Sequence, residues 1–278
     1  MVNDSVEHII NKVKETPAFL QQLVPEAIRQ PLSDELLRYY HDNLTLVMII
    51  AWLAVSFVGY SIKSQKSITK ISYFLIGFSL LQEIIDWLNR IYLDTEYAVS
   101  WRADLPLQFC VMGFYFSIIA IYLAEKSNKE SSKIQQFLFD CAYVLGFAGG
   151  FQALLAVDLT GINNMLGAFA LNWAHSLIIL NVLWLIFAYG KRFTIVSIFR
   201  AYGFILFIIM PVGLINYILI QNGIDANYMF ICKPPNVESS FFIGEWPIYL
   251  FWLALIYFLY VLILYLPFKM VDIYKSKI

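Results

Sequence analysis

GAFALNWAHSLIILNVLWLIFAY, residues 167–189, runs for 23 residues without an Asp, Glu, Lys or Arg. A helix needs about 20 mostly apolar residues to cross a bilayer core, so this stretch reads as a membrane span. Its polar residues are sparse: Asn172 and His175 near one end, and Asn181 at mid-depth. Six other stretches read the same way, at 44–62, 71–88, 105–123, 137–157, 195–220 and 246–268. Backbone groups in lipid must be satisfied within the segment, which makes each stretch a helix. The expected fold is an all-α polytopic membrane helix bundle of seven spans, or six if one segment is re-entrant. Residues 1–43 form an N-terminal arm, 44–268 the bundle and 269–278 a tail.

The chain is 60% hydrophobic and 14% charged, with mean hydropathy +0.68. Soluble domains carry about 25% charged residues, so this is not the composition of one. A net charge of −1 provides no basic field for nucleic acid. Trp87, Trp101, Trp246 and Tyr265 fall at or near segment ends, where headgroups favour such rings.

Lys63, Lys66 and Lys70 follow the first segment, and Lys126, Lys129 and Lys133 follow the third. Lys191 and Arg192 follow the fifth, and Lys269, Lys275 and Lys277 the seventh. The alternate loops hold Arg90 and Arg102, then no Lys or Arg, then Lys233. Positive charge marks cytoplasmic loops. The C-terminus is therefore expected in the cytoplasm and the N-terminus outside, although the arm itself carries Lys12, Lys14, Arg29 and Arg38. No cleavable signal peptide is expected. Val6, Ile9, Ile10 and Val13 repeat at helical spacing and suggest a short amphipathic helix on the membrane surface. Pro17, Pro25 and Pro31 then break the arm. The sequence has no internal repeat.

Glu83, Gln108, Cys110, Gln152, Asn172, His175 and Asn216 all fall within a few turns of one end of their segments. Polar groups at membrane depth tend to face one another or a wet cavity. A single polar pocket near one leaflet is expected. Glu83 reads as a proton acceptor or headgroup ligand, or as a structural acid bonded to a neighbouring helix. Asp86 and Arg90 are spaced to pair at i, i+4. Cys110 plus His175 is the minimum for an activated thiol nucleophile, with Asn172, three residues before His175, placed to orient the ring. The bland reading of Cys110 is a small buried hydrophobe, and a Cys110–Cys232 disulfide competes with the nucleophile. Three scattered cysteines and one histidine within the spans, with His8 and His41 in the arm, make no metal cluster. No metal or other cofactor is expected. The long loop 224–245, with Asn227 and Tyr228, reads as a lid or binding loop.

Several elements together carry a resemblance. They are Leu105-Pro106-Leu107-Gln108-Phe109-Cys110, Gly146-Phe147-Ala148-Gly149-Gly150-Phe151-Gln152 with Asp158, Ala174-His175 and Asn216. Asn227-Tyr228-Met229 with Lys233-Pro234, and Trp246-Pro247 with Tyr249, complete the set. In this order they resemble the YwaF / transmembrane-protein-164 family over roughly residues 75–268. The resemblance implies a lipid acyltransferase chemistry, described for the vertebrate branch on ether phospholipids, with Cys110 and His175 at the matching cysteine and histidine. The fold also resembles membrane hydrolases of fatty acid esters that use threonine and histidine. The chain departs at Gln108, where many members have His. It departs again at Asp158, preceded by Ala-Val rather than Thr-Pro, and at Gly244-Glu245-Trp246-Pro247 in place of Gly-Pro-Trp-Pro. Size and residue usage fit a bacterial member in the cytoplasmic membrane.

The expectation is a membrane lipid acyltransferase or transacylase, or a lipid ester hydrolase if water is the acceptor. Its substrate would be a phospholipid or lysolipid of the outer leaflet. Cys110 is the nucleophile, His175 the base, and Gln108 or Gln152 the oxyanion donor. A proton-coupled transporter or non-catalytic lipid-binding protein is the alternative, with Glu83 and His175 as coupling groups. A seven-span receptor is a third.

Overall fold

The computed structural model describes residues 17–126, 132–234 and 243–276. Among the described residues, seven helices are long and apolar enough to cross a membrane: Asp34–Ser61, Gln65–Leu93, Phe109–Lys126, Lys133–Leu155, Met165–Tyr189, Ile195–Gln221 and Ile248–Lys275. They are called the first to seventh spans. No strand occurs among the described residues. The expected amphipathic helix over residues 6–13 lies outside the described residues, as do Lys129, Lys277 and residues 235–242 of the last long loop.

The fifth span is the hub. Its most apolar window is 67% buried, against 17% for the first, sixth and seventh, whose side chains are left to face lipid. Asn164 caps its start by accepting from Gly167 N at 2.8 Å. Gly190, at φ 66°, ends it in the left-handed conformation that glycine adopts without strain. The first span makes the most extensive pairing with it, and Trp52 donates across to Ser176 O at 3.0 Å.

Two spans are not plain α-helices. The second ends in a π-helical turn, Asn89–Leu93, and the fourth is interrupted by another, Gly146–Gly150. Such insertions occur often at functional sites. Gly146 and Gly150 let the fourth span press against the fifth. A Cβ on Gly146 would lie 2.9 Å from Ile178 Cγ2, and one on Gly150 3.3 Å from His175 O. Small residues at such contacts allow close backbone approach within a bilayer.

Span limits differ from the hydropathy reading at several ends. The first helix begins at Asp34, ten residues before the apolar stretch, because Ser33 caps it and Asp34 and Glu35 favour its first turn. His41 thus belongs to the first span rather than the arm. The third helix begins only at Phe109, so Cys110 lies in its first turn. The seventh continues to Lys275, taking in most of the tail. The arm holds two short helices, Ala18–Leu23 and Glu26–Arg29, begun after Pro17 and Pro25. It is pinned where Leu32 N donates to Asn163 O at 2.8 Å.

Candidate active site

His175 lies on the fifth span and is 8% exposed. Its Nδ1 is 2.8 Å from the carbonyl of Leu171, one turn earlier. A carbonyl only accepts, so Nδ1 carries a proton and Nε2 of the neutral ring keeps its lone pair. The Cys110 thiol and this imidazole interact electrostatically. Cys110 is half-buried, and it is a free thiol, as are Cys141 and Cys232. The suggested Cys110–Cys232 disulfide is therefore absent. The third and fifth spans are brought to this distance partly by Gly113, where a Cβ would be 2.9 Å from Leu145 Cβ and 3.6 Å from Ile178 Cγ2.

Asn172 does not orient the ring. It is fully buried and faces the first span, donating to His41 O at 3.1 Å and to Thr45 Oγ1 at 2.7 Å. The i, i+3 spacing puts it on the same side of the helix as His175, but the neighbouring helix claims the amide. The first span also brings in a histidine that the sequence reading left in the arm. His41 is fully buried, its Nδ1 is 3.2 Å from Asp42 Oδ1, and its Nε2 has no hydrogen-bond partner among the described residues. The signal for it was the helix start at Ser33-Asp34-Glu35.

Glu83 is half-buried and accepts from Tyr115 OH at 2.7 Å and from Trp87 Nε1 at 3.1 Å. It is bonded to the third span, as one of its two readings expects. Asp86 and Arg90 pair at 2.9 Å, and Arg90 also reaches Asp104 at 2.9 Å. Asp104 is an anchor that the sequence did not single out. It accepts from Tyr97 OH at 2.6 Å and Ser100 N at 2.7 Å, and so folds the segment leading into the Cys110 helix.

Four expected site residues hold the last long loop instead of lining a cavity with the thiol. Asn216 brackets Tyr228, accepting from its N at 2.9 Å and donating to its O at 3.0 Å. Tyr228 OH donates to Trp101 O at 2.8 Å and accepts from Leu105 N at 3.0 Å. Asn227 Oδ1 accepts from Cys232 N and Lys233 N at 3.0 and 3.1 Å. Gln108 Oε1 accepts from Met229 N at 2.9 Å, which fixes the amide and leaves its NH2 group without an acceptor among the described residues. Met229 and Phe230 sit at φ 59° and 53°, a conformation that costs about 1–3 kcal/mol for a non-glycine residue unless its surroundings hold it. Gln152 is half-buried near the end of the fourth span, and its side chain has no hydrogen bond among the described residues.

An apolar cavity of about 330 Å³ lies beneath the arm. Leu20, Leu23 and Ile28 of the arm roof it, and Ile85, Leu88 and Leu166 form the wall.

Seven helices long and apolar enough to cross a bilayer define a multi-pass helical membrane protein. The chain belongs to the TMEM164 family, which it matches over residues 37–265. Comparison with curated proteins and with solved structures gives no match.

Proposed function

We propose that this protein is a membrane lipid acyltransferase or transacylase, with Cys110 as nucleophile and His175 as base. The observation that carries the reading is the Cys110 thiol against an imidazole whose Nδ1–H is held by Leu171 O. That tautomer leaves Nε2 to accept a proton, as an activated nucleophile requires. The thiol proton passes to Nε2, and the thiolate attacks the carbonyl carbon of an acyl ester. The ester C–O bond breaks, and the departing alkoxide takes the proton from His175, leaving a thioester. The acceptor hydroxyl then gives its proton to Nε2 and attacks the thioester. The C–S bond breaks and the thiolate is reprotonated. With water as acceptor the same site hydrolyses the ester. Gln108, with its amide oxygen already held, and Gln152 are the donors for the developing oxyanion, which is usually the largest stabilising contribution. The cavity under the arm suits an acyl chain. The site lies at the end of the bundle with few Lys and Arg, which by the positive-inside rule is the outer leaflet of a bacterial cytoplasmic membrane.

The test is covalent labelling of purified protein with a thiol-reactive acyl-lipid probe, alongside mass analysis of acyl exchange between phospholipid and lysolipid. Wild type should label at Cys110, and Cys110→Ala should neither label nor exchange acyl groups. Acyl exchange that survives Cys110→Ala would end the proposal.

One observation favours proton-coupled transport as a second reading. Polar contacts continue along the bundle interior, from Asn181 with Ser79 and Ser117 at 3.2 and 3.1 Å to Trp184, Ser72, Tyr189 and Glu125. Loss of a proton-dependent flux in Glu83→Gln, with Cys110→Ala unaffected, would select it.

A further inference from the structure

At the end of the bundle opposite Cys110, a groove of about 390 Å³ is lined by Lys133, Ile134, Phe137 and Arg200. Lys133 opens the fourth span after its cap Ser132, and Arg200 lies in the second turn of the sixth. The apolar part of the groove meets the lipid-facing surface. Ile134 is 66% exposed, whereas Phe137 packs edge-on against Phe204 with ring centroids 5.4 Å apart.

Among the described residues, the charges in this groove do not cancel. Arg200 pairs with Asp140, which is wholly buried behind it and also accepts from Gln136 at 2.8 Å. The carboxylate faces inward, while the Arg200 side chain remains 34% exposed with guanidinium N–H groups to spare. Lys133 has no hydrogen bond or ion pair among the described residues. Two cations above one buried carboxylate present a single net positive charge at the edge of the membrane. Its complement is one phosphodiester, with apolar chains that run down past Ile134 and Phe137. Lys191 and Arg192 at the same end are already engaged, Lys191 with Gln135 at 2.7 Å and Arg192 with Asp272 at 2.5 Å, and are not counted in this charge. Basic pockets between membrane helices are a recurrent way of holding anionic headgroups.

We propose that the groove of Lys133, Ile134, Phe137 and Arg200 binds the phosphate of an anionic phospholipid. This site is separate from the thiol–imidazole pair and does not depend on acyl chemistry. Its source of phosphate is a lipid rather than the free ion, because half of its lining is apolar and opens to the bilayer.

The experiment measures phosphatidylglycerol retained by the purified full chain in native mass spectrometry, and the thermal midpoint in detergent with added lipid. Phosphatidylglycerol should bind and raise the midpoint more than phosphatidylcholine does. Lys133→Glu should weaken phosphatidylglycerol binding roughly 25-fold, since the reversal removes two elementary charges at about fivefold each. Lys66→Glu, an exposed charge at the same end on the second span, should leave binding unchanged. Arg200 is not the residue to remove, because its loss would strand Asp140. Equal binding of the two lipids, or wild-type binding by Lys133→Glu, would overturn the proposal. So would inorganic phosphate alone reproducing the shift, which would make the groove a free-anion site.

Discussion

His175 Nδ1 donates to Leu171 O at 2.8 Å within a single helix turn. The bond sets the tautomer without a carboxylate, so the ring needs no charged partner to present Nε2 to Cys110. Replacing His175 by Gln or Ala removes that nitrogen. Both variants should fold and should slow acyl-probe labelling of Cys110 by about 10²–10⁴-fold, the usual contribution of a general base. The rate constant of labelling at saturating probe checks this, with circular dichroism to confirm folding.

Asn172→Ala should act on stability. Its amide joins the fifth span to His41 O and Thr45 Oγ1 and accepts from the buried Ser176 hydroxyl, and truncation removes these bonds at a cost of about 1–3 kcal/mol. The thermal midpoint should fall while labelling per folded molecule stays within about twofold of wild type, a difference smaller than one hydrogen bond would make. A slowed labelling rate at unchanged stability would restore the ring-orienting role.

The glycines of the fourth span should separate into two kinds. Gly146→Ala places a Cβ 2.9 Å from Ile178 Cγ2 and Gly150→Ala one at 3.3 Å from His175 O. Overpacking of this kind costs about 1–3 kcal/mol. An added Cβ at Gly149 meets nothing within 4 Å, so Gly149→Ala should be neutral or slightly stabilising. Thermal midpoints of the three variants in one detergent make the comparison.

The Lys233 ammonium, 2.6 Å from Asp225, holds that carboxyl below the ordinary carboxylate value. A depressed value in the folded loop means that the pair contributes above about pH 4, the unfolded value for Asp. The contribution disappears as pH falls through the lower folded value. The pair is exposed, so the effect is local and salt-sensitive. Amide exchange of residues 222–234 should accelerate below about pH 4, and Asp225→Asn should abolish that acid-dependent step.

The seven spans were legible because a bilayer core demands long apolar runs, and the chain has seven. Their ends were less so. Asp34-Glu35 is polar, yet it begins the first helix because helices extend past the hydrocarbon into water, where hydropathy says nothing. His41 was misplaced for that reason. Depth alone put Cys110 and His175 near the same end of their spans. The partner of the imidazole could not be read, since Leu171 acts through its backbone and its side chain carries no sign of it. Asn172 misled because shared spacing on a helix does not decide which neighbour an amide will meet. Gly146-Phe-Ala-Gly-Gly150 announced close packing, but nothing in it announced the extra residue of a π turn.

Gln108 grips Met229, and Tyr228 grips Trp101 and Leu105. Residues 228–229 of the last long loop are thus bolted to the stretch that launches the third span, two residues from Cys110 itself. If they shift, they drag the start of the third span with them, and the thiol moves relative to His175. Under the proposed chemistry, admission of a lipid and alignment of the thiol with the imidazole would be mechanically one event.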